Sequence, residues 1–297
     1  MELQQLRYLV TVAETGNFTR AAERCHVSQP SLSQQIINLE KELKHKLFHR
    51  LGRKAVLTEA GAAFMDRARR ILFEVDDSTR ELQDSPGLER KITVGAITTL
   101  APYLMPQMLA LCHTRLPHLQ VNLREDFRAN LTKAVIDGEL DLAIVSLPVK
   151  DPNISVEALF EETLMLVVGK PHPLASKHVV TTEDLKTQTF ILLGTSSSLA
   201  SQIQRFCGDH NFEPKIGYRC AQVATVKALV ALGVGISILP QVTLGADDRS
   251  KIIVKPLADR TPTREIGVIR HMQRYQSLGA EQFITVLREH VKKPLRP

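Results

Sequence analysis

Hydrophobic residues recur at helical spacing through the start of the chain. Leu3, Leu6, Leu9, Val10 and Ala13 form one stripe, which Gly16-Asn17 ends. Phe18, Ala21, Ala22 and Cys25 form a second, narrower face, and His26-Val27-Ser28 interrupts it. The rhythm resumes with Leu32, Ile36 and Leu39. Ser28 is placed to cap this third helix, and Pro30 suits its first turn, where a missing N–H costs nothing. Gln29, Ser31, Ser33, Gln34 and Gln35 cluster near its start. Two short helices about a tight turn, the second opening on small hydrogen-bonding side chains, predict a helix-turn-helix. Leu43, Leu47 and Phe48 continue the buried face. Gly52 turns the chain, Ala55-Val56-Leu57 reads as a short strand, and residues 50–57 become a wing.

Thr58 is the expected cap of the next helix. Its apolar positions Phe64, Ala68, Ile71 and Val75, continued by Ser78 and Leu82, alternate steps of four and three, flanked by Arg67, Arg69, Arg70, Asp76 and Asp77. That spacing predicts a heptad seam and a dimer-forming helix, against the alternative of an ordinary helix packed on its own domain. Asp84-Ser85-Pro86-Gly87 supplies a hinge. Beyond it the pattern alternates: strand 92–97, helix 102–113, strand 121–127, helix 131–137 ended by Gly138, and apolar strand 140–147. Residues 163–168 carry the chain across, ahead of Pro171-His172-Pro173. A second run of the same kind follows, with strands at 190–193, 215–220 and 236–239 and helices at 199–209 and 223–232. Residues 266–270 return to the first half and a helix over 276–291 closes the chain. Continuous apolar strands alternating with helices predict buried parallel sheets. The expected division is 1–58 for the winged helix-turn-helix, 59–89 for the linker helix and hinge, and 90–297 for a two-lobed α/β domain.

Composition sharpens the picture only locally. The 297 residues are 43% hydrophobic and 24% charged, enough for substantial cores, and the net charge of +6 permits a polyanionic partner without requiring one. Residues 41–54 hold six Lys/Arg against one acid. Alone such a run reads as a solvated helix face. Directly behind a candidate recognition helix it reads as phosphate-contacting surface. The polar start of the third helix would then enter a major groove, with Gln29, Pro30, Ser31, Ser33 and Gln34 at base edges and Arg50, Arg53 and Lys54 along phosphates. Residues 228–246 are uncharged, but Gly233, Gly235, Pro240 and Gly245 split them into helix, turn and strand, so no membrane partner is expected. Met1–Arg7 does not read as a signal peptide, and a cytoplasmic location is expected. Cys25, Cys112, Cys207 and Cys220 show no metal-ligand spacing and are expected as reduced thiols.

From Leu6 to Gly61 the chain reads LRYLVTVAETGNFTRAAERCHVSQPSLSQQIINLEKELKHKLFHRLGRKAVLTEAG. This stretch resembles the N-terminal module of LysR-type transcriptional regulators, with two departures: Gln34 where Arg is common, and Lys44 where Gly usually ends the helix. The second half resembles, by pattern more than by fixed residues, the two-lobed periplasmic-binding-protein-like effector domain of the same family. The expected fold is therefore α/β with an N-terminal all-α winged helix-turn-helix. The resemblance implies a double-stranded DNA operator, a small-molecule effector such as a carboxylate, and self-association as a dimer of dimers. RNA polymerase is a further candidate partner, and no cofactor or metal is implied.

In two-lobed α/β proteins ligands sit at the carboxyl ends of strands. Those ends carry Thr98-Thr99, Arg128-Ala129-Asn130, Ser146, Gly194-Thr195-Ser196-Ser197-Ser198 and Gln222 to Thr225. Thr98, Thr99, Asn130, Ser146, Thr195, Ser196, Ser198 and Thr225 are the candidate effector residues, with helix capping as the alternative role for each. The peroxide-sensing branch of the family places a reactive Cys in the segment aligned with residues 195–199 and a resolving Cys nine residues later. Here Cys207 holds the second position and Ser198 the first, and a hydroxyl cannot become a sulfenic acid. Cys207, beside Phe206 on a face with Ile203, is expected as packing, and a thiol-based sensor is the disfavoured variant. No GxSxG, HExxH or Walker-type loop is present, and Gly233-Val234-Gly235 reads as a turn, so an enzyme is not expected. A solute-binding protein would share the second fold but would leave the winged module without a use.

Overall fold

The computed structural model describes residues 1–52, 54–83 and 90–292. They divide into two compact units, Met1–Ser85 and Pro86–Pro297. In the first, α1 (Leu3–Thr15) ends where Gly16 takes φ +61°, and α2 (Phe18–Arg24) starts under the Asn17 side chain, which accepts from the Thr19 and Arg20 amides. His26 makes the turn at φ +54°, and α3 (Gln29–Leu43) begins at Ser28, whose hydroxyl accepts from the Ser31 amide at 3.3 Å. Leu6, Leu9, Val12, Ala21, Leu32, Ile36 and Leu39 converge in one core. Leu3 stays exposed, and Tyr8 and Val12 complete the buried stripe of α1 instead.

α3 hands over to the wing through a buried carboxylate. Glu40 accepts from the Leu47 amide at 2.9 Å, the Phe48 amide at 3.3 Å and Lys46 Nζ at 3.0 Å. Phe48 therefore opens a strand rather than continuing a helical face: β1 (Phe48–Leu51) pairs antiparallel with β2 (Lys54–Leu57), with Gly52 at φ +62° between them. The Ala55 amide donates to Gly16 O at 2.8 Å and pins the hairpin to the end of α1. α4 (Glu59–Gln83) is capped by Thr58 Oγ1, which accepts from the Gly61 amide at 2.9 Å. A Cβ on Gly61 would lie 2.0 Å from Leu47 O, so only glycine allows this approach.

The heptad seam on α4 divides. Ala68, with Met65 and Leu72, is buried in the unit's own core, whereas Phe64 and Val75 are half-buried and Ile71 is exposed. Ser78 is exposed too, and the side chains of Asp77 and Leu82 lie outside the described residues, as do Arg53 and the hinge at 84–87.

In the second unit, β3 (Arg90–Ile97), α5 (Ala101–Arg115), β4 (Leu119–Asp126), α6 (Arg128–Asp137) and β5 (Leu142–Ser146) form two parallel crossovers with strand order β4-β3-β5. β6 (Ile154–Gly169) follows; its first half was not legible because Val156, Glu157 and Glu161 face solvent or ion partners and break the apolar run. Two short helical turns, α7 (Pro173–Ser176) and α8 (Thr182–Leu185), lead into the second lobe. There β7 (Thr189–Leu193), α9 (Ser198–Asp209), β8 (Lys215–Cys220), α10 (Val223–Ala231) and β9 (Ile236–Pro240) repeat the first lobe with order β8-β7-β9. The short edge strand β10 (Ile252–Lys255) pairs with the end of β6. β11 (Thr263–His271) returns to pair with β5 and with the first half of β6, and α11 (Leu278–Val291) covers the first lobe. Each lobe has its own hydrophobic core. Among the described residues no helix is long and apolar enough to cross a membrane; 228–246 is part helix, part turn and part strand.

Lys44, where the family resemblance leads one to expect glycine, adopts φ +57° at the end of α3. A side chain in this region costs about 1 kcal/mol. Lys44→Gly is expected to raise the denaturation midpoint of the first unit by an amount worth about 0.5–1 kcal/mol; an unchanged or lower midpoint in a urea titration would show that the turn carries no strain.

Candidate functional site

The first candidate surface is the start of α3 and the wing beside it. Gln29, Pro30, Ser31 and Gln34 are exposed, because Leu32, Ile36 and Leu39 turn the opposite face into the core. Gln34 donates to Asn38 Oδ1 at 3.0 Å, one turn further on. Ser33 corrects the sequence expectation. It is buried, and its hydroxyl accepts from Arg50 Nη1 at 3.0 Å, so it positions a wing arginine rather than reaching a base edge. The same guanidinium lies 4.6 Å above the Phe18 ring centroid, and Phe18 meets Phe48 edge-on at 5.6 Å. Side chains from α2, α3 and β1 thus hold one exposed Arg50 in a fixed attitude. Lys54 is exposed on β2, and Arg53 lies outside the described residues.

The second candidate is the cleft between the lobes of the second unit. Ser146, at the end of β5 in one lobe, and Ser198, at the start of α9 in the other, bring their hydroxyls to 2.8 Å. Arg128 joins them from the start of α6, donating to Ser146 O at 3.2 Å and Pro148 O at 3.3 Å. Burial holds the Arg128 guanidinium below its ordinary pKa, and the like charge of Arg205 on α9 adds to the effect. Two cations near one another, one of them answered only by carbonyl oxygens, make a site that an anion would stabilise. Arg128 stood among the strand-end residues in sequence. Arg205 carried no signal, because its role needs the turn of α9 toward the other lobe.

Thr99 is displaced from the candidate set. It is buried, and its hydroxyl accepts from Arg264 Nη1 at 2.7 Å. Arg264 is itself buried against Glu162, with Nε to Oε2 at 2.8 Å, and Glu162 Oε1 accepts from the Val242 amide at 3.1 Å. Thr99 is therefore part of the joint between the lobes. Asn130 is exposed and its amide donates to Asp126 Oδ1 at 2.8 Å. Thr98 is half-buried, and Thr195, Ser196 and Thr225 are exposed. Of the eight candidates, Ser146 and Ser198 are the pair that the structure brings into direct contact. The buried Arg264–Glu162 pair was not legible, since its partners stand about a hundred residues apart in the chain.

Comparison with known proteins finds matches for both units. Residues 3–62 match the bacterial regulatory helix-turn-helix protein family of lysR type, and residues 85–292 match the LysR substrate binding domain. The chain belongs to the LysR family of transcriptional regulators. The hydrogen peroxide-inducible genes activator of Pectobacterium carotovorum is 32% identical over 296 residues, covering 98% of this chain and 97% of that one. A full-length OxyR variant from Pseudomonas aeruginosa superposes with a TM-score of 0.76 at 30% identity, covering 98% of this chain and 95% of that one. Full-length CbnR in complex with its target DNA gives 0.70 at 25% identity, over 97% of this chain and 99% of that one. As a LysR-type regulator the chain joins a helix-turn-helix DNA-binding module to an effector-binding domain.

The cysteines of this regulator are arranged for packing. Cys207 is fully buried, and desolvation pushes its thiol up to about 12. Burial also raises Cys112 and Cys220 above the usual thiol range. At pH 8 the Cys207 thiol is therefore ionised in roughly one molecule in ten thousand. Cys207 is expected to resist iodoacetamide in the native protein and to react once the chain is unfolded in urea. Native labelling at the rate of a free thiol, read by mass spectrometry, would contradict the burial described here.

Proposed function

We propose that this LysR-type regulator acts in the cytoplasm as a dimer of dimers on an operator, with an anionic small molecule, most simply a carboxylate, controlling it from the cleft between its lobes. The observation that carries the effector reading is the Ser146–Ser198 contact across the cleft with Arg128 hydrogen-bonded beside it at Ser146 O, and Arg205 on α9 lies near enough for its charge to act on Arg128. An anion bridging the two guanidiniums would relieve their repulsion and replace the hydroxyl contact, changing the angle between lobes. Phe64, Ile71 and Val75 on α4 supply apolar positions for pairing two winged modules, with the linker drawn at 59–89. A change in how effector domains pack would alter the spacing of recognition helices and the bend of the DNA. The hydroxyl at Ser198 and the sealed Cys207 favour ligand control over thiol oxidation, whatever the peroxide-responsive relatives do.

In this reading Gln29, Ser31 and Gln34 read base edges while Arg50, Arg53 and Lys54 follow phosphates. Gln29→Ala is expected to cost about 1–3 kcal/mol on the preferred operator and little on unrelated DNA. Lys54→Ala is expected to weaken every sequence alike and to lower the salt slope of binding by about one. Fluorescence anisotropy on specific and scrambled duplexes at several salt concentrations separates the two. If Lys54→Ala changed base preference while Gln29→Ala did not, the assignment of α3 to the groove would fall.

A further inference from the structure

Between α9 and the strands that pass between the lobes is a cavity of about 320 Å³, lined largely by residues that the cleft reading does not use. Its volume lies at the small end of ligand pockets, which run roughly 300–1,000 Å³. It suits a molecule the size of an amino acid and not a nucleotide. Leu164, Ile203, Phe206 and Ile238 give it an apolar floor. The Phe206 ring is braced by His210, centroid to centroid 4.5 Å, and His210 Nδ1 is 2.8 Å from Phe206 O.

The rim is charged in both senses. Arg205 and Arg260 supply two cations, Asp209 and Glu265 two anions, and none of the four forms an ion pair among the described residues. Gln202 adds a third feature: the residue lines the cavity, and its Oε1 is buried without a hydrogen-bond donor, so that a turn of the side-chain amide would present it to a ligand. A buried acceptor without a donor costs about 1–3 kcal/mol, which a ligand N–H would recover. A simple carboxylate would use the arginines and leave Gln202 and both acids unanswered. A simple amine would do the reverse. A zwitterion answers all of them, and the floor accepts a hydrocarbon side chain.

We propose that this cavity is a second ligand site, selective for an apolar α-amino acid. The carboxylate would lie toward Arg205 and Arg260, the ammonium would donate to Gln202 Oε1 and face the rim acids, and the side chain would pack on Phe206. Leu164 and Arg264 also line the cavity. The ligand would therefore sit against the two strands on which the lobes turn, and would act on the regulator through the joint rather than through the cleft. The proposal rests on the effector-domain reading but on none of the residues assigned to the anion cleft, except that Arg205 borders both.

Calorimetric titration of the full-length protein tests this with L-phenylalanine and L-leucine beside two half-molecules, 3-phenylpropanoate and 2-phenylethylamine. At least one amino acid is expected to bind at one per chain and at least tenfold tighter than either half-molecule. Arg260→Gln should weaken it at least fivefold. Gln202→Leu should weaken it similarly while raising the thermal midpoint of the ligand-free protein, because the unanswered acceptor is gone. Ser198→Ala should leave it within twofold. Half-molecules that bind as well as the amino acids, or no binding by any of the four at millimolar concentration, would overturn the proposal. So would abolition by Ser198→Ala, which would place the ligand in the cleft. The anion cleft is tested by Arg128→Gln, which leaves this rim intact, so the two readings fail separately.

Discussion

The second unit depends on one buried ion pair. Arg264 and Glu162 face each other across β11 and β6 at the point where both strands leave one lobe for the other. Burial pushes the Arg264 guanidinium below its ordinary pKa, and the facing carboxylate opposes that. The pair is also a branch point. The arginine holds Thr99, just beyond β3, and the glutamate holds the Val242 amide, just beyond β9. There the chain has left the second lobe's strands, and the Val242 side chain packs in the first lobe's core. Losing one partner of such a pair costs about 3–5 kcal/mol, a large share of the stability of an ordinary domain. A hydrophobic pair could match that stability, but it could not direct hydrogen bonds to the chain leaving β3 and to the chain leaving β9. The joint therefore sets geometry where the crossing strands meet.

With that point fixed, the cleft has few degrees of freedom. The Ser146–Ser198 contact is a neutral hydrogen bond at 2.8 Å, worth about 0.5–1.5 kcal/mol net. An anion held by two guanidiniums gains charge-assisted bonds about twice as strong. In the proposed reading, exchange of one for the other would favour the ligand by a margin small enough to be reversible, as a regulator requires. In the first unit the corresponding constraint is Arg50. Caught between the Ser33 hydroxyl and the Phe18 ring, it ties the wing to both helices of the helix-turn-helix, and Glu40 ties the end of α3 to the start of the wing. Groove-facing and phosphate-facing groups are thus presented by one rigid body, which lowers the entropy lost on binding.

Much of this was legible in the chain itself, for identifiable reasons. The helices of the first unit follow from helical spacing bounded by Gly16-Asn17, Ser28 and Thr58, all local signals; Ser28 and Thr58 accept the expected cap bonds, and Asn17, expected only to end α1, caps α2 as well. The repeat of β-α-β-α-β in the two lobes followed from continuous apolar strands. What failed was whatever depends on distant partners. The first half of β6 is solvated along much of its length and reads as loop, and β10 is four residues at an edge. Ala68 fits a heptad yet packs inward, because α1 lies on that side of α4. Ser33 and Thr99 were assigned by type to binding surfaces, and each instead holds an arginine brought to it by another element. Polar residues at strand and helix ends mark where a site can be; which of them face it is decided by neighbours the spacing does not show.

The most direct measurement of the central claim is nuclease footprinting of the full-length protein on its operator, with and without a panel of small carboxylates. It should be repeated with Arg128→Gln. The account predicts that at least one carboxylate shortens or shifts the protected region, and that the variant protects the same operator without responding. A protected region indifferent to every carboxylate, or one that still shifts in the variant, would contradict control of DNA geometry from the cleft.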